Sequence, residues 1–169
     1  MIEITTPISD DVIKGLHVGD MIYISGYIFC GRDAVLPKII NLIKEGKKDQ
    51  LGVSFKGGVI FHTAVSSAGV GPTSSNKLEI ESSMEFLSKE GIKLHLGKGA
   101  IRSETVKKLD ENNAVFAVIP PVTALLGVKT LEKKCVAFPE LGMEALYRLK
   151  VDHYPAIIGA ANGRSIYNE

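Results

Sequence analysis

The chain has 169 residues, 45% of them apolar and 23% charged, with a formal net charge of +1. This length suits one compact domain with its own core, taken here as residues 1–169, and the near-neutral balance argues against a nucleic-acid-binding or membrane-surface protein. No apolar run approaches the roughly 20 residues that span a bilayer. The opening MIEITTPISD lacks the basic and apolar regions of a secretion signal, and the two cysteines, Cys30 and Cys135, form neither a CxxC pair nor a disulfide framework. These features lead us to expect a cytoplasmic protein.

The segment HVGDMIYISGYIFCGRD opens the folded part, with a strand around Met21 and Tyr23, a bend or bulge at Ser25-Gly26, and a continuation through Phe29. Leu36, Ile39, Ile40 and Ile43 recur at helical spacing. Pro37 fits only the first turn of that helix, and Gly46 stops it. KKDQLGVSFKG reads as loop and GVIFH as a strand ending at His62. The stretch from 63 to 76 is rich in small residues and reads as a loop, long enough to suggest a binding element. KLEIESSMEFLSKEG is a helix with Ile80, Met84 and Leu87 on its apolar face, closed by Gly91.

IKLHLGKG is a strand followed by a lysine between two glycines, and Ser103 can cap the helix ETVKKLDEN. AVFAVIP is a continuously apolar strand of the kind covered on both faces. PVTALLG gives a short helix and KCVAF a strand. PELGMEALYRL gives one or two helical turns, and PAIIGA a strand with a tight turn at Asn162-Gly163. The alternation from about 58 to 160 predicts an α/β domain.

Three positive elements carry the candidate chemistry. In GPTSSNKLE a Gly-Pro turn runs into Thr73, Ser74, Ser75 and Lys77 at a helix start, where free N–H groups and hydroxyls suit a carboxylate or phosphate. The plain alternative is a capping serine with Lys77 in water, and the spacing is not that of a nucleotide-binding P-loop. Gly31-Arg32-Asp33 lies between a strand and a helix, where Arg32 could hold a carboxylate with Asp33 orienting it, or the two could form a surface ion pair. Gly97-Lys98-Gly99 allows close approach to Lys98, with Arg102 near enough to join a positive patch. Among the histidines, His62 could reach a site, while His95 reads as a partly exposed strand residue. No histidine or cysteine spacing suggests a metal site. Glu140 and Glu144, four apart, could share a helical face.

GDMIYISGYIFCGRDA, GPTSSNKLE, LGKG and FPELGMEALYRLKVDHYPAII, in that order, resemble the beta subunit of class I fumarase and L(+)-tartrate dehydratase, the iron–sulfur hydro-lyases, over nearly the whole chain. The resemblance implies a swivelling β/β/α domain, a mixed sheet with flanking helices, that closes over a catalytic alpha subunit. That partner would hold a 4Fe-4S cluster and this chain none, so the active site would be shared and the isolated chain inactive. The resemblance also implies roles: Arg32 and Lys98 for binding the substrate, Thr73 as the proposed proton-transfer base, and Lys77 at the place of a second arginine, with Ser74 beside it at the motif's second threonine. The family usually reads Arg-Met-Asp where this chain has Lys77-Leu78-Glu79, which keeps the charge and loses the guanidinium fork. The implied reaction is reversible hydration of fumarate to (S)-malate, a step of the tricarboxylic acid cycle. Alternatives are a tartrate or mesaconate hydro-lyase and a noncatalytic anion-binding module. Homodimerisation within a heterotetramer is the implied assembly.

Overall fold

The computed structural model describes residues 2–66, 69–73, 77–97, 100–119 and 123–166, with the backbone alone for 64–66, 69–73, 77–80 and 123–125. In chain order the elements are β1 (Ile2–Thr5), α1 (Asp10–Lys14), β2 (Met21–Cys30), α2 (Leu36–Lys44), β3 (Gly58–Phe61), β4 (Thr63–Ser66), β5 (Gly69–Thr73), α3 (Lys77–Lys89), β6 (Ile92–Gly97), α4 (Ser103–Glu111), β7 (Val115–Val118), α5 (Thr123–Val128), β8 (Thr130–Ala137), β9 (Leu146–Ala161) and β10 (Arg164–Ser165), with 3-10 turns at Lys48–Leu51 and Pro139–Glu144.

Strands β2, β3, β6 and β7 run parallel, and long β9 pairs antiparallel with both β7 and β2. The mixed sheet therefore closes into a small barrel, with β1 parallel to β2 and β8 antiparallel to β9 as added strands. Side chains alternate across each strand. Ile22, Ile24 and Ile28 of β2, Phe61 of β3, Leu94 and Leu96 of β6 and Tyr154 of β9 fill the interior, joined by Ile13 of α1 and Leu126 of α5. The opposite face meets the helices: Phe29, Ile60 and Ile92 pack with Leu36 and Ile39 of α2 and Leu87 of α3. Met84 of α3 packs with Val106 and Leu109 of α4 and Phe116 of β7. The expected α/β class, with a mixed sheet flanked by helices, is the observed architecture.

Several local expectations hold for the reasons given. Pro37 lies in the first turn of α2. Gly46 ends the helix at φ +76° and donates its N–H to Ile43. The register of β2 against β9 slips between Ile24 and Gly26, the predicted bulge. Asn162 and Gly163, both at positive φ, turn β9 into β10.

Other expectations are corrected. The first ten residues already contribute β1, whose parallel register runs Ile2 to Ile22 through Thr5 to Ser25. The stretch after His62 is a β-hairpin, β4–β5, rather than an open loop. Leu146 to Leu149 are not helical. They begin β9, which continues through Pro155 opposite Tyr23 to Ala161. The apolar spacing there mimicked a helix, but pairing with β2 on one side and β8 on the other decides it. Ser103 is the first residue of α4 and makes no cap bond. In its place the buried Glu81 carboxylate accepts from the Arg102 N–H at 2.7 Å.

Gly91 ends α3 at φ +115°, and a Cβ there would come within 2.7 Å of Lys56 Cα. Both the conformation and the contact with backbone oppose a side chain. Gly91→Ala is expected to cost more than about 2 kcal/mol, read as a lowered urea midpoint at unchanged slope.

Candidate functional site

The parallel strands β2, β3 and β6 deliver their C-terminal ends to one edge of the sheet. Ligands of α/β sheets bind outside such ends, where the chain leaves regular pairing and exposes backbone groups. Arg32 follows the end of β2, and the Gly31 N–H donates to Phe61 O at 3.1 Å, tying that turn to the end of β3. His62 and Thr63 follow β3, and the His62 N–H donates to Leu96 O at 3.1 Å, tying them to β6. Gly97 is the last residue of β6, immediately before Lys98 in sequence.

The hairpin brings the Gly-Pro-Thr segment back to this edge. Its register pairs Thr63 with Thr73. The backbone of Thr73 therefore returns beside the residue that leaves β3. The hairpin lies between the 3-10 turn at Pro139–Glu144, which approaches β4, and α5, which runs beside β5. Lys77 is the first residue of α3. Of the predicted site residues, Arg32 and the backbones of Thr73 and Lys77 are thus located. The side chains of Thr73 and Lys77, and the whole of Ser74 and Lys98, lie outside the described residues.

Arg32 is held by a residue not assigned to it from sequence. Its Nε donates to both carboxylate oxygens of Glu144 at 3.0 Å, and an Nη donates to one of them at 2.7 Å. The pair is partly buried, and the hydrogen bonds that the guanidinium donates to Glu144 raise its pKa above the ordinary value. A forked grip of this kind fixes the plane of the guanidinium, and its other Nη has no hydrogen-bond partner among the described residues. Glu140 and Glu144 do not share a regular helical face, because Gly142 breaks the turn at φ 60° and ψ −123°. That kink is part of what lets Glu144 face Arg32. The two residues are 112 positions apart, so no local pattern signals the pair. Arg102, expected to join a positive patch, instead pairs with buried Glu81 at 3.6 Å.

His95 is also corrected, from a partly exposed strand residue to a buried one. His95 is fully buried, as is His62, and the two rings stack at 5.4 Å with an interplanar angle of 19°. Burial pushes the His62 pKa down to about 3 and that of His95 well below 6.5, so both are neutral near pH 7.

A cleft of about 990 Å³ opens elsewhere, lined by Pro7, Tyr27, Phe29, Lys56, Lys93 and Arg148 among others. It sits near the starts of β3 and β6, at the opposite end of the strands, and holds none of the predicted site residues. Volume alone does not make it the site. The C-terminal edge carries Arg32, the strand ends and the hairpin backbone that returns to Thr73.

Among the described residues no three His, Cys, Asp or Glu side chains come together as metal ligands. Cys30 lies in the barrel interior with its thiol pKa raised by burial, and Cys135 is on β8. These residues do not fit an iron–sulfur cluster. No helix among the described residues is long and apolar enough to cross a membrane.

Comparison with known proteins agrees with this anatomy. The L(+)-tartrate dehydratase subunit beta of Escherichia coli strain K12 is 29% identical over 92% of this chain and 80% of its own length. A Methanocaldococcus jannaschii protein provisionally named as the same subunit is 30% identical over 93% of this chain and 86% of its own length. A longer Geobacillus stearothermophilus protein, provisionally named a class I fumarate hydratase, is 25% identical across all of this chain, which spans 34% of it. The family model described as fumarase C-terminus matches residues 1–169, and the chain belongs to that family, as a C-terminal-type beta domain of the class I fumarases and tartrate dehydratases.

Proposed function

We propose that this chain is the beta subunit of a two-subunit hydro-lyase that adds water to, or removes it from, a small dicarboxylate. The observation that supports the reading is the strand edge where Arg32, held by Glu144, follows β2 and where the hairpin that pairs Thr73 with Thr63 follows β3, with the turn carrying Glu144 packed against β4. Arg32 would bind one substrate carboxylate through the Nη that Glu144 does not engage. Lys77 and Lys98 would neutralise the remaining charge, Ser74 would donate a hydroxyl hydrogen bond, and Thr73 would handle the carbon-bound proton. A threonine hydroxyl is a useful base only if nearby cations favour its ionised form, which the three positive residues would provide.

The 4Fe-4S cluster belongs, in this reading, to the alpha subunit, where its open iron would supply Lewis acidity. This chain closes over it and supplies the anion clamp. The assembly would be cytoplasmic and contain both subunits, with homodimerisation inside a heterotetramer as its simplest symmetric form.

Hydration of fumarate to (S)-malate is the first substrate assignment. The second, dehydration of L-tartrate, is favoured by the names of the relatives that this chain matches over most of their length. Hydration of mesaconate would need the same clamp with room for a methyl group. The chain co-purified anaerobically with its alpha subunit is expected to turn over at least one of the three acids, while the isolated chain turns over none. Thr73→Ala in that complex is expected to lower kcat by about 10²-fold or more with substrate binding retained, the usual size of a lost general base. Full turnover by the variant would refute the assignment of the base. A stable complex that turns over none of the three would reopen the substrate, with Lys77 the first residue to test, and no complex with no activity would leave the anion-binding module.

A further inference from the structure

Ser88 of α3, His95 of β6 and His62 form a hydrogen-bonded string across the boundary between helix and sheet. Ser88 Oγ lies 2.8 Å from His95 Nε2, and His95 Nδ1 lies 3.2 Å from His62 Nε2. All three residues are buried. At the far end, His62 Nδ1 is buried with no hydrogen-bond partner, the one such side-chain atom among the described residues. An open buried valence is destabilising, and an apolar pair of similar volume under α3 would avoid that penalty. Stability alone does not account for the string.

Its location is informative. His62 directly follows β3, at the edge that carries Arg32, and the next residue, Thr63, is buried and registers with Thr73. The string also has a direction. If Ser88 donates to His95 Nε2, then His95 Nδ1–H donates to His62 Nε2, and His62 Nδ1 carries a hydrogen to give. In the reverse sense His62 Nε2–H donates to His95, His95 donates to Ser88, and His62 Nδ1 is a free acceptor. Either neutral arrangement leaves one valence, and it lies on His62 rather than at Ser88.

We infer that His62 is a positioning residue of the site, whose open Nδ1 takes a hydrogen-bond partner when the dicarboxylate site closes with the alpha subunit, and that Ser88 and His95 hold its imidazole neutral and oriented for that bond. The inference rests on the hydro-lyase reading for its kinetic consequence but not for its spectroscopic one.

The experiment compares His62→Asn, His62→Gln and His62→Phe in the assembled complex. Asparagine places an amide near Nδ1, glutamine one near Nε2, and phenylalanine keeps only the ring. His62→Phe and His62→Gln are expected to lower kcat by about tenfold or more at a KM within about twofold, the signature of an interaction that matters after binding, while His62→Asn stays within about threefold of wild type. The His62→Phe thermal midpoint at pH 5 is expected to equal or exceed wild type. A purely structural role would instead lower the midpoint and leave kcat alone. Wild-type kcat in His62→Phe, or an equal loss in His62→Asn and His62→Phe, overturns the assignment to Nδ1.

The second measurement follows the imidazole ¹⁵N resonances of His62 as unlabelled alpha subunit and then L-tartrate or fumarate are added. A shift of Nδ1 supports the inference, and an unmoved Nδ1 overturns it. This readout decides even if the wild-type complex hydrates or dehydrates none of the acids, an outcome that would remove the substrate reading by itself.

Discussion

Replacing Arg32 by alanine in the assembled enzyme is expected to lower kcat/KM for the dicarboxylate by about 10²–10³-fold, the size of a lost charge-assisted contact in a site closed to water. The geometry makes the prediction specific. Glu144 already occupies Nε and one Nη of the guanidinium, so a substrate carboxylate would meet an oriented cation rather than a freely turning one. Arg32→Lys keeps the charge but not the fork and is expected to fall between the variant and wild type. Glu144→Gln tests orientation directly. It keeps the size and one oxygen acceptor, removes the compensating charge, and is expected to raise KM by about tenfold with a smaller change in kcat, as expected when binding weakens uniformly. The measurement is steady-state kinetics of the four complexes on whichever acid the wild type turns over. Unchanged kinetics in Arg32→Ala would make the Arg32–Glu144 pair a brace between β2 and the 3-10 turn, and nothing more.

The second large effect is acid instability. His62 and His95 are buried neutral, with pKa values depressed from 6.5, that of His62 to about 3. Above pH 6.5 both the folded and the unfolded histidines are neutral, and their burial adds no pH dependence. As the pH falls below 6.5 only the unfolded chain gains protons, so stability drops towards the folded pKa at about 1.4 kcal/mol per pH unit for each histidine. Between pH 7.5 and 5 the two together are expected to remove about 4 kcal/mol, seen as a falling urea midpoint. The window also separates this effect from others. The depressed carboxyl pKa values of Asp10 and Glu85 act near and below 4, and His153 has the opposite sign. Hydrogen bonds that the His153 ring donates to Asp152 and Glu3 raise its pKa, so its contribution is complete below 6.5 and fades only as the pH rises through the raised value. The double variant His62→Phe/His95→Phe is expected to flatten the profile between pH 7.5 and 5. A wild-type profile already flat there would show that the pair is protonated or exposed in the fold.

By itself the sequence determined what short-range chemistry controls. Proline in the first turn of α2, glycine at the ends of α2 and α3, the bulge at Ser25-Gly26 and the turn at Asn162-Gly163 each follow from backbone constraints within a few residues. The order of the four motifs also carried the family, now supported by a match along residues 1–169. Tertiary structure decided whatever depends on pairing at long range. Residues 146–149 have apolar spacing that fits a helix, and only β2 and β8 on either side make them strand. The segment after His62 is rich in small residues, and becomes a hairpin because β4 and β5 satisfy each other's backbone groups. His95 has a polar side chain in a strand whose alternation leaves it open to either solvent or helix; α3, with Ser88 in reach, covers it. Glu144 finds Arg32 because the closed barrel and the kink at Gly142 bring together positions 112 residues apart. A local pattern can specify which face of an element is apolar, but not which distant residue completes a hydrogen bond, because that choice is made only when the elements pack.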